Sequence, residues 1–113
     1  MPIVNLTRNT ILASSVELAN TPLKRMRGLL GRDSLPEGQA LLIVPCNSIH
    51  MFFMKFTIDV IFLDEKNKIV GLAPKIKPFR LSSVFWKSAC AIELPAGTIE
   101  KTNTKFKDQI EIL

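Results

Sequence analysis

The sequence predicts a mainly β fold of the α+β kind: a small antiparallel, barrel-like or curled sheet of six to eight short strands with one short helix. Three observations lead there. Short runs rich in Ile, Val, Leu and Phe alternate with polar or Pro/Gly turn signals along most of the chain. Only one stretch combines helix start and stop residues with a helical apolar spacing. The central runs are apolar at odd and even positions alike, so the sheet they form must curl over or be covered on both faces. An open two-layer α+β sandwich is the alternative way to meet that requirement.

The elements follow in order. "IVNL" and "ILASSVEL" flank the polar "TRNT", which predicts an opening hairpin of residues 3–6 and 11–18. In "NTPLKRMRGLLGR", Thr21 can cap a helix, Pro22 suits its first turn and Gly31 can end it, giving a helix over 22–30. Leu23, Met26 and Leu30 share one face of that helix, expected to lie on the core. "QALLIVP" reads as a strand closed by Pro45, and further apolar runs at about 48–54 and 58–63 read as two more. "DEKN" is a turn, because Asn67 tolerates a left-handed backbone, and the return strand is about 68–73. Residues 74–88 read as a long irregular loop, "ACAIELP" as a strand, "AGTIEKTN" as a turn or single helical turn, and "KDQIEIL" as a final strand with Ile110 and Ile112 on one side.

At 113 residues the chain suits a single domain, 1–113. Its 47% hydrophobic and 22% charged composition is that of a globular protein. No apolar stretch is long enough for a membrane span, since Lys55, Asp59 and Asp64 interrupt the longest one, and no secretory signal is visible, so a cytoplasmic location is expected. Cys46 and Cys90 are too few for a disulfide framework and are expected as reduced thiols. The net charge of +5 comes from scattered Lys and Arg, without a long basic tract.

Candidate site residues concentrate in "CNSIHMFFMKFTIDVIFLD". Cys46, His50 and Met54 recur every four residues and offer ligands suited to soft metals. On a strand, however, Cys46 and Met54 would each stand about 13 Å from His50, too far to share one ion, so no metal and no cofactor is expected. The same separation argues against a Cys46/His50 nucleophilic pair. His50, on a strand buried on both faces, reads as a hydrogen-bonded core histidine or as an imidazole in a pocket wall. Asp59 stands among Ile58, Val60, Ile61 and Phe62, where a carboxylate needs a partner; it either caps the "MKFT" turn or pairs with Arg27 or His50 at a pocket mouth. Glu93 in "AIEL" poses the same question. Arg27 borders the apolar stripe of the predicted helix, either snorkelling to water or turned inward to hold an anion.

Together, "RMRGLLGR", "LPEGQALLIVPCNSIHMFFMKFTIDVIFLDEKNKIVGL", "AIELPAGTIEK" and "KDQIEIL", spanning about residues 21–113, resemble the family called domain of unknown function 192, also known as uncharacterised protein family 0127. The resemblance implies a small, mainly β domain with a short helix, found in bacteria and archaea and in some relatives exported; here it would follow an N-terminal hairpin. Its pattern centres on Arg27, Gly28, Met54, Asp59, Glu93, Pro95 and Gly97, while His50 matches a common variant. It also implies that the helix, "MKFTID" and "IELPAG" share one neighbourhood, with a polar cluster of Arg27, Asp59 and Glu93. It supplies no activity and no catalytic residue.

The leading functional expectation is a small binding or interaction module with a polar-lined groove near Arg27, His50 and Asp59, whose partner is an unidentified small molecule or protein; Met54 and Glu93 complete the candidate set. A small enzyme using His50 or a carboxylate as general acid or base comes second. Weak nucleic-acid binding by the basic loop at 75–87, where Lys75, Lys77, Arg80 and Lys87 interleave with Phe79, Phe85 and Trp86, comes third.

Overall fold

A computed structural model describes residues 2–113. Along them run β1 (Ile3–Asn5), β2 (Thr10–Ala13), β3 (Ser15–Ala19), α1 (Pro22–Arg27), β4 (Gln39–Ile43), β5 (Ile58–Leu63), β6 (Ile69–Ile76), β7 (Cys90–Pro95), α2 (Thr98–Lys101) and β8 (Ile110–Ile112). The fold is mainly β, with a three-stranded sheet ordered β2-β1-β8 and a five-stranded sheet ordered β3-β4-β7-β5-β6.

The two sheets meet without closing into a barrel. At one corner the expected second hairpin strand breaks at Ser14: β2 stays with β1, whereas β3 crosses to the larger sheet. The Gly38 carbonyl stabilises that crossing by accepting from the backbone N–H groups of both Ser14 and Ser15. At another corner Lys68 bridges Gln109, and Ile69 donates to Asp108. Nor is the sheet wholly antiparallel, because β3 and β4 pair in parallel; the chain between Ala19 and Gln39 makes the crossover that parallel pairing requires, and α1 lies in it.

Strand alternation divides the core in two. Ile61, Leu63, Ile92, Leu94 and Leu42 face the small sheet and pack with Ile3, Leu12 and Ile110. Ile58, Val60, Phe62, Leu41 and Ile43 face the other way, where Leu29, Leu35, Ile49, Met51 and Met54 cover them. Strand β5 is therefore buried along its whole length, as a run apolar at every second and every intervening position dictates.

The cover on this second face differs from the sequence expectation. Helix α1 stops at Arg27 because Gly28 adopts φ 49°, three residues before Gly31. Leu23 and Met26 are exposed, and the core contact passes to Leu29 in the turn after the helix. Residues 48–54 do not form a strand. They run as turns, with Phe53 at φ 63°, and send Ile49, Met51 and Met54 inward while Phe52 and Phe53 point out. Their backbone groups are satisfied by the 79–82 segment instead: Met51 donates to Arg80 and accepts from Phe79, and Ile49 accepts from Ser82. The turn at 64–67 and the strand after it form as expected, although β6 continues to Ile76 through a bulge at Lys75.

Gly71 lies opposite Phe62 on β5. The Phe85 ring fills the space above it, with its centroid 4.6 Å from that of Phe62. A Cβ at position 71 would come within 2.4 Å of Phe85. Gly71→Ala is accordingly expected to destabilise the fold by about 1–3 kcal/mol, read as a lower urea midpoint; an unchanged midpoint would mean that the ring swings aside freely.

Candidate functional site

Glu93 sits at the centre of β7, flanked across the ladder by Leu41 of β4 and Val60 of β5. All three project to the face covered by α1 and the 45–54 loop. Glu93 is only 5% exposed, and its Oε1 has no hydrogen-bond partner among the described residues. Burial pushes its pKa up from 4.5 to about 7, against a smaller opposing effect of the Arg32 guanidinium. A buried carboxyl with an idle oxygen is costly in an apolar setting, and such atoms are rare in folded proteins.

What lies over Glu93 is a cleft rather than packed core. It has a volume of about 380 Å³ and is lined by Arg25, Arg27, Cys46, His50, Met54 and Glu93, among others. The two walls have different origins. Thr21 accepts from the Lys24 N–H and starts α1; Gly28 ends it in a conformation open to glycine, and a Cβ there would stand 3.8 Å from Glu93 Oε1. The helix end is thus folded down onto the carboxyl. The opposite wall is the 45–54 loop, held to the first by the Arg25 side chain, whose Nε donates to the Pro45 carbonyl over 3.1 Å.

The charges in the cleft are unbalanced. Arg25 and Arg27 line it, and Glu93 is its one acidic lining residue among the described residues. Arg32, close enough to act on Glu93, is itself paired with Glu17. Arg27 makes no ion pair or side-chain hydrogen bond among the described residues, so its guanidinium is free to meet an anion. His50 is exposed and stacks on Phe52, with centroids 5.4 Å apart, instead of being a buried core histidine. Met54 is buried and supplies an apolar surface.

Cys46, His50 and Met54 line this one cleft because the segment turns, whereas a strand would have spread them apart. The thiol is nonetheless ill suited to nucleophilic or metal chemistry: burial pushes its pKa up, and Sγ donates to the Ser48 carbonyl. No group of three or more His, Cys, Asp or Glu among the described residues is placed to hold a metal ion.

Asp59 stands apart from the other four candidate residues, so the expected cluster of Arg27, Asp59 and Glu93 does not form. Across the β5/β7 ladder Asp59 opposes Leu94 and Val60 opposes Glu93, so the two carboxyl groups project from opposite faces of the sheet. Asp59 is wholly buried, with Oδ1 accepting from the Lys75 N–H and Oδ2 from the Ile99 N–H, each over 2.8 Å. It therefore ties the bulge in β6 to the start of α2, where Gly97 offers no capping side chain, rather than capping the "MKFT" turn.

The sequence singled out Arg27, His50, Met54 and Glu93, which the cleft brings together. It gave no sign of Arg25, whose part depends on a carbonyl twenty residues away.

The comparisons agree with this architecture. A protein of unknown function from Novosphingobium aromaticivorans has a crystal structure similar over 99% of this chain and 84% of its own, with a TM-score of 0.86 and 20% sequence identity. A UPF0127 protein of Thermococcus sibiricus is 33% identical over 96% of this chain and 73% of its own length. A second UPF0127 protein, from Pyrococcus horikoshii, is also 33% identical and matches over 96% of both chains. The DUF192 family profile, described as "Uncharacterized ACR", matches residues 3–112 and so takes in the first strands as well as the 21–113 motifs. The chain belongs to the DUF192 family.

Proposed function

We propose that this protein is a small-molecule-binding module whose ligand occupies the cleft between α1 and the 45–54 loop. The observation that carries this reading is the buried, unpartnered Oε1 of Glu93 at the cleft floor. A ligand hydroxyl, amide or ammonium group donating to it would replace the missing hydrogen bond. Arg27 is placed to meet an anionic group on the same molecule, and Met54 offers an apolar contact. His50 adds a polar group at the rim. A hydroxy acid, amino acid or sugar acid combines these features at a size suited to the cleft. The two free cysteines accord with the reducing, cytoplasmic setting of this proposal.

Methionine methyl NMR tests the reading, because Met26 and Met54 line the cleft whereas Met51 is fully buried and does not line it. Titrating a panel of small hydroxy, amino and sugar acids is expected to shift the Met26 and Met54 methyl signals and to leave Met51 in place. Arg27→Gln is expected to weaken the best member by about tenfold or more. Shifts that survive unchanged in both Arg27→Gln and Glu93→Gln would refute the proposed site.

A second reading is favoured by the burial of Glu93, which raises its pKa to about 7, a value suited to general acid or base catalysis. His50 makes no hydrogen bond to Glu93 among the described residues, so the catalyst would be Glu93 alone. Consumption of a panel member, abolished by Glu93→Gln, distinguishes turnover from binding.

A further inference from the structure

Beyond the cleft, two loops build a basic and apolar tip that neither the core nor the proposed ligand site accounts for. Segments 46–56 and 74–89 carry Lys55, Lys75, Lys77, Arg80 and Lys87 and contain no Asp or Glu. They are laced by backbone hydrogen bonds, from Phe79 to the Met51 carbonyl over 2.7 Å and from Met51 to the Arg80 carbonyl over 2.8 Å. The lacing sets Phe53 and Phe79 side by side, edge to face, with centroids 5.8 Å apart.

These rings are 77% and 60% exposed, and the neighbouring Leu81 is 66% exposed. Phe53 and Phe79 also adopt φ values of 63° and 64°, a left-handed conformation that is unfavourable for a bulky residue and that asparagine takes at lower cost. Folding gains little from an exposed aromatic ring at either position. The charges beside them are equally unclaimed: Lys55 turns to Asp33 and Lys75 to Glu100, but Lys77 and Arg80, on either side of Phe79, make no ion pair among the described residues.

We propose that this tip is an interfacial anchor for an anionic phospholipid surface, with Phe53, Phe79 and Leu81 entering the headgroup boundary and Lys77 and Arg80 lying among the lipid phosphates. Apolar side chains on loop tips beside unpaired cations are the two ingredients of reversible peripheral binding. No helix among the described residues is long and apolar enough to cross a membrane, so the contact is a surface one. A lipid surface is the better occupant of the Phe53, Phe79 and Leu81 group, because the edge-to-face pair presents no parallel stacking platform and Leu81 has no stacking plane.

Co-sedimentation of the full chain with vesicles tests this, comparing phosphatidylcholine alone with phosphatidylcholine containing phosphatidylglycerol. Binding is expected to be at least about tenfold tighter to the anionic vesicles. The double variant Phe53→Asn and Phe79→Asn is expected to lose at least about tenfold of it while melting no lower than the wild type, since asparagine suits both backbones. Lys77→Gln with Arg80→Gln, two exposed changes that leave the fold alone, is expected to lose a similar factor of about ten. Failure to sediment with anionic vesicles overturns the proposal, as does binding as tight as the wild type's by both double variants. Binding to a single-stranded oligonucleotide that responds to these variants, with none to vesicles, assigns the tip to nucleic acid and overturns it as well.

Discussion

Replacing Asp59 with alanine is expected to lower the folding free energy by roughly 3–5 kcal/mol. Each oxygen of its carboxyl group accepts one backbone N–H, from Lys75 and from Ile99, at a site with no exposure. A hydrogen bond to a charged acceptor contributes about 1.5–3 kcal/mol, and its loss strands a buried donor. The loss is also structural, because the two donors belong to the β6 bulge and the first turn of α2. Asp59→Asn should cost less, on the order of 2 kcal/mol, since the amide oxygen still accepts while its NH₂ group confronts the second donor. Chemical denaturation at neutral pH measures both. If Asp59→Ala unfolds at the wild-type midpoint, the carboxyl does not hold these elements together.

Glu93→Gln is expected to act in the opposite direction. The folded-state pKa of Glu93 is raised from 4.5 to about 7, so the folded protein holds this proton more tightly than the unfolded chain does. The resulting stability is fully present below pH 4.5 and is lost progressively as the pH rises toward about 7. The loss amounts to about 3 kcal/mol at most. Glutamine is nearly isosteric with the protonated acid and cannot ionise, so the variant should match the wild type near pH 4 and exceed it in stability at pH 8 by up to about 3 kcal/mol. A gain in stability combined with loss of ligand binding would mark Glu93 as a group kept for the cleft at the expense of the fold. Equal pH dependence in wild type and variant would mean that Glu93 is not the group responsible.

Asp108 shows the contrary behaviour. Burial raises its pKa, but hydrogen bonds from Arg8, Asn5 and the Lys105 N–H outweigh that effect and leave it lowered. A buried carboxyl with its partners built in is stabilised as an anion. Glu93, without partners, is not.

Much of the β architecture could be read locally. The runs at 58–63 and 90–95, the Asn67 turn and the closing strand each have a composition and flanks that only a strand or its turn satisfies. The errors lay where distant contacts decide. An apolar run such as 48–54 looks the same whether a sheet covers both its faces or a loop alternates between core and solvent; here the 79–82 segment takes its backbone hydrogen bonds and settles the matter. The sequence points to Gly31 as the helix end, whereas the positive-φ backbone that closes α1 falls at Gly28. Placing Asp59 and Glu93 in one cluster failed by a single step of register, since Glu93 opposes Val60 and not Asp59. Glu93 was legible as an acid in an apolar strand, and Arg27 as a charge bordering the apolar stripe of the predicted helix.

The most direct test of the account is the titration of the Glu93 side-chain carboxyl by ¹³C NMR in the ligand-free protein. A midpoint near pH 7 is predicted, as for a buried carboxyl that lacks a partner. A midpoint at or below the ordinary 4.5 would show that Glu93 is solvated or already paired, and would remove the observation on which the binding cleft rests.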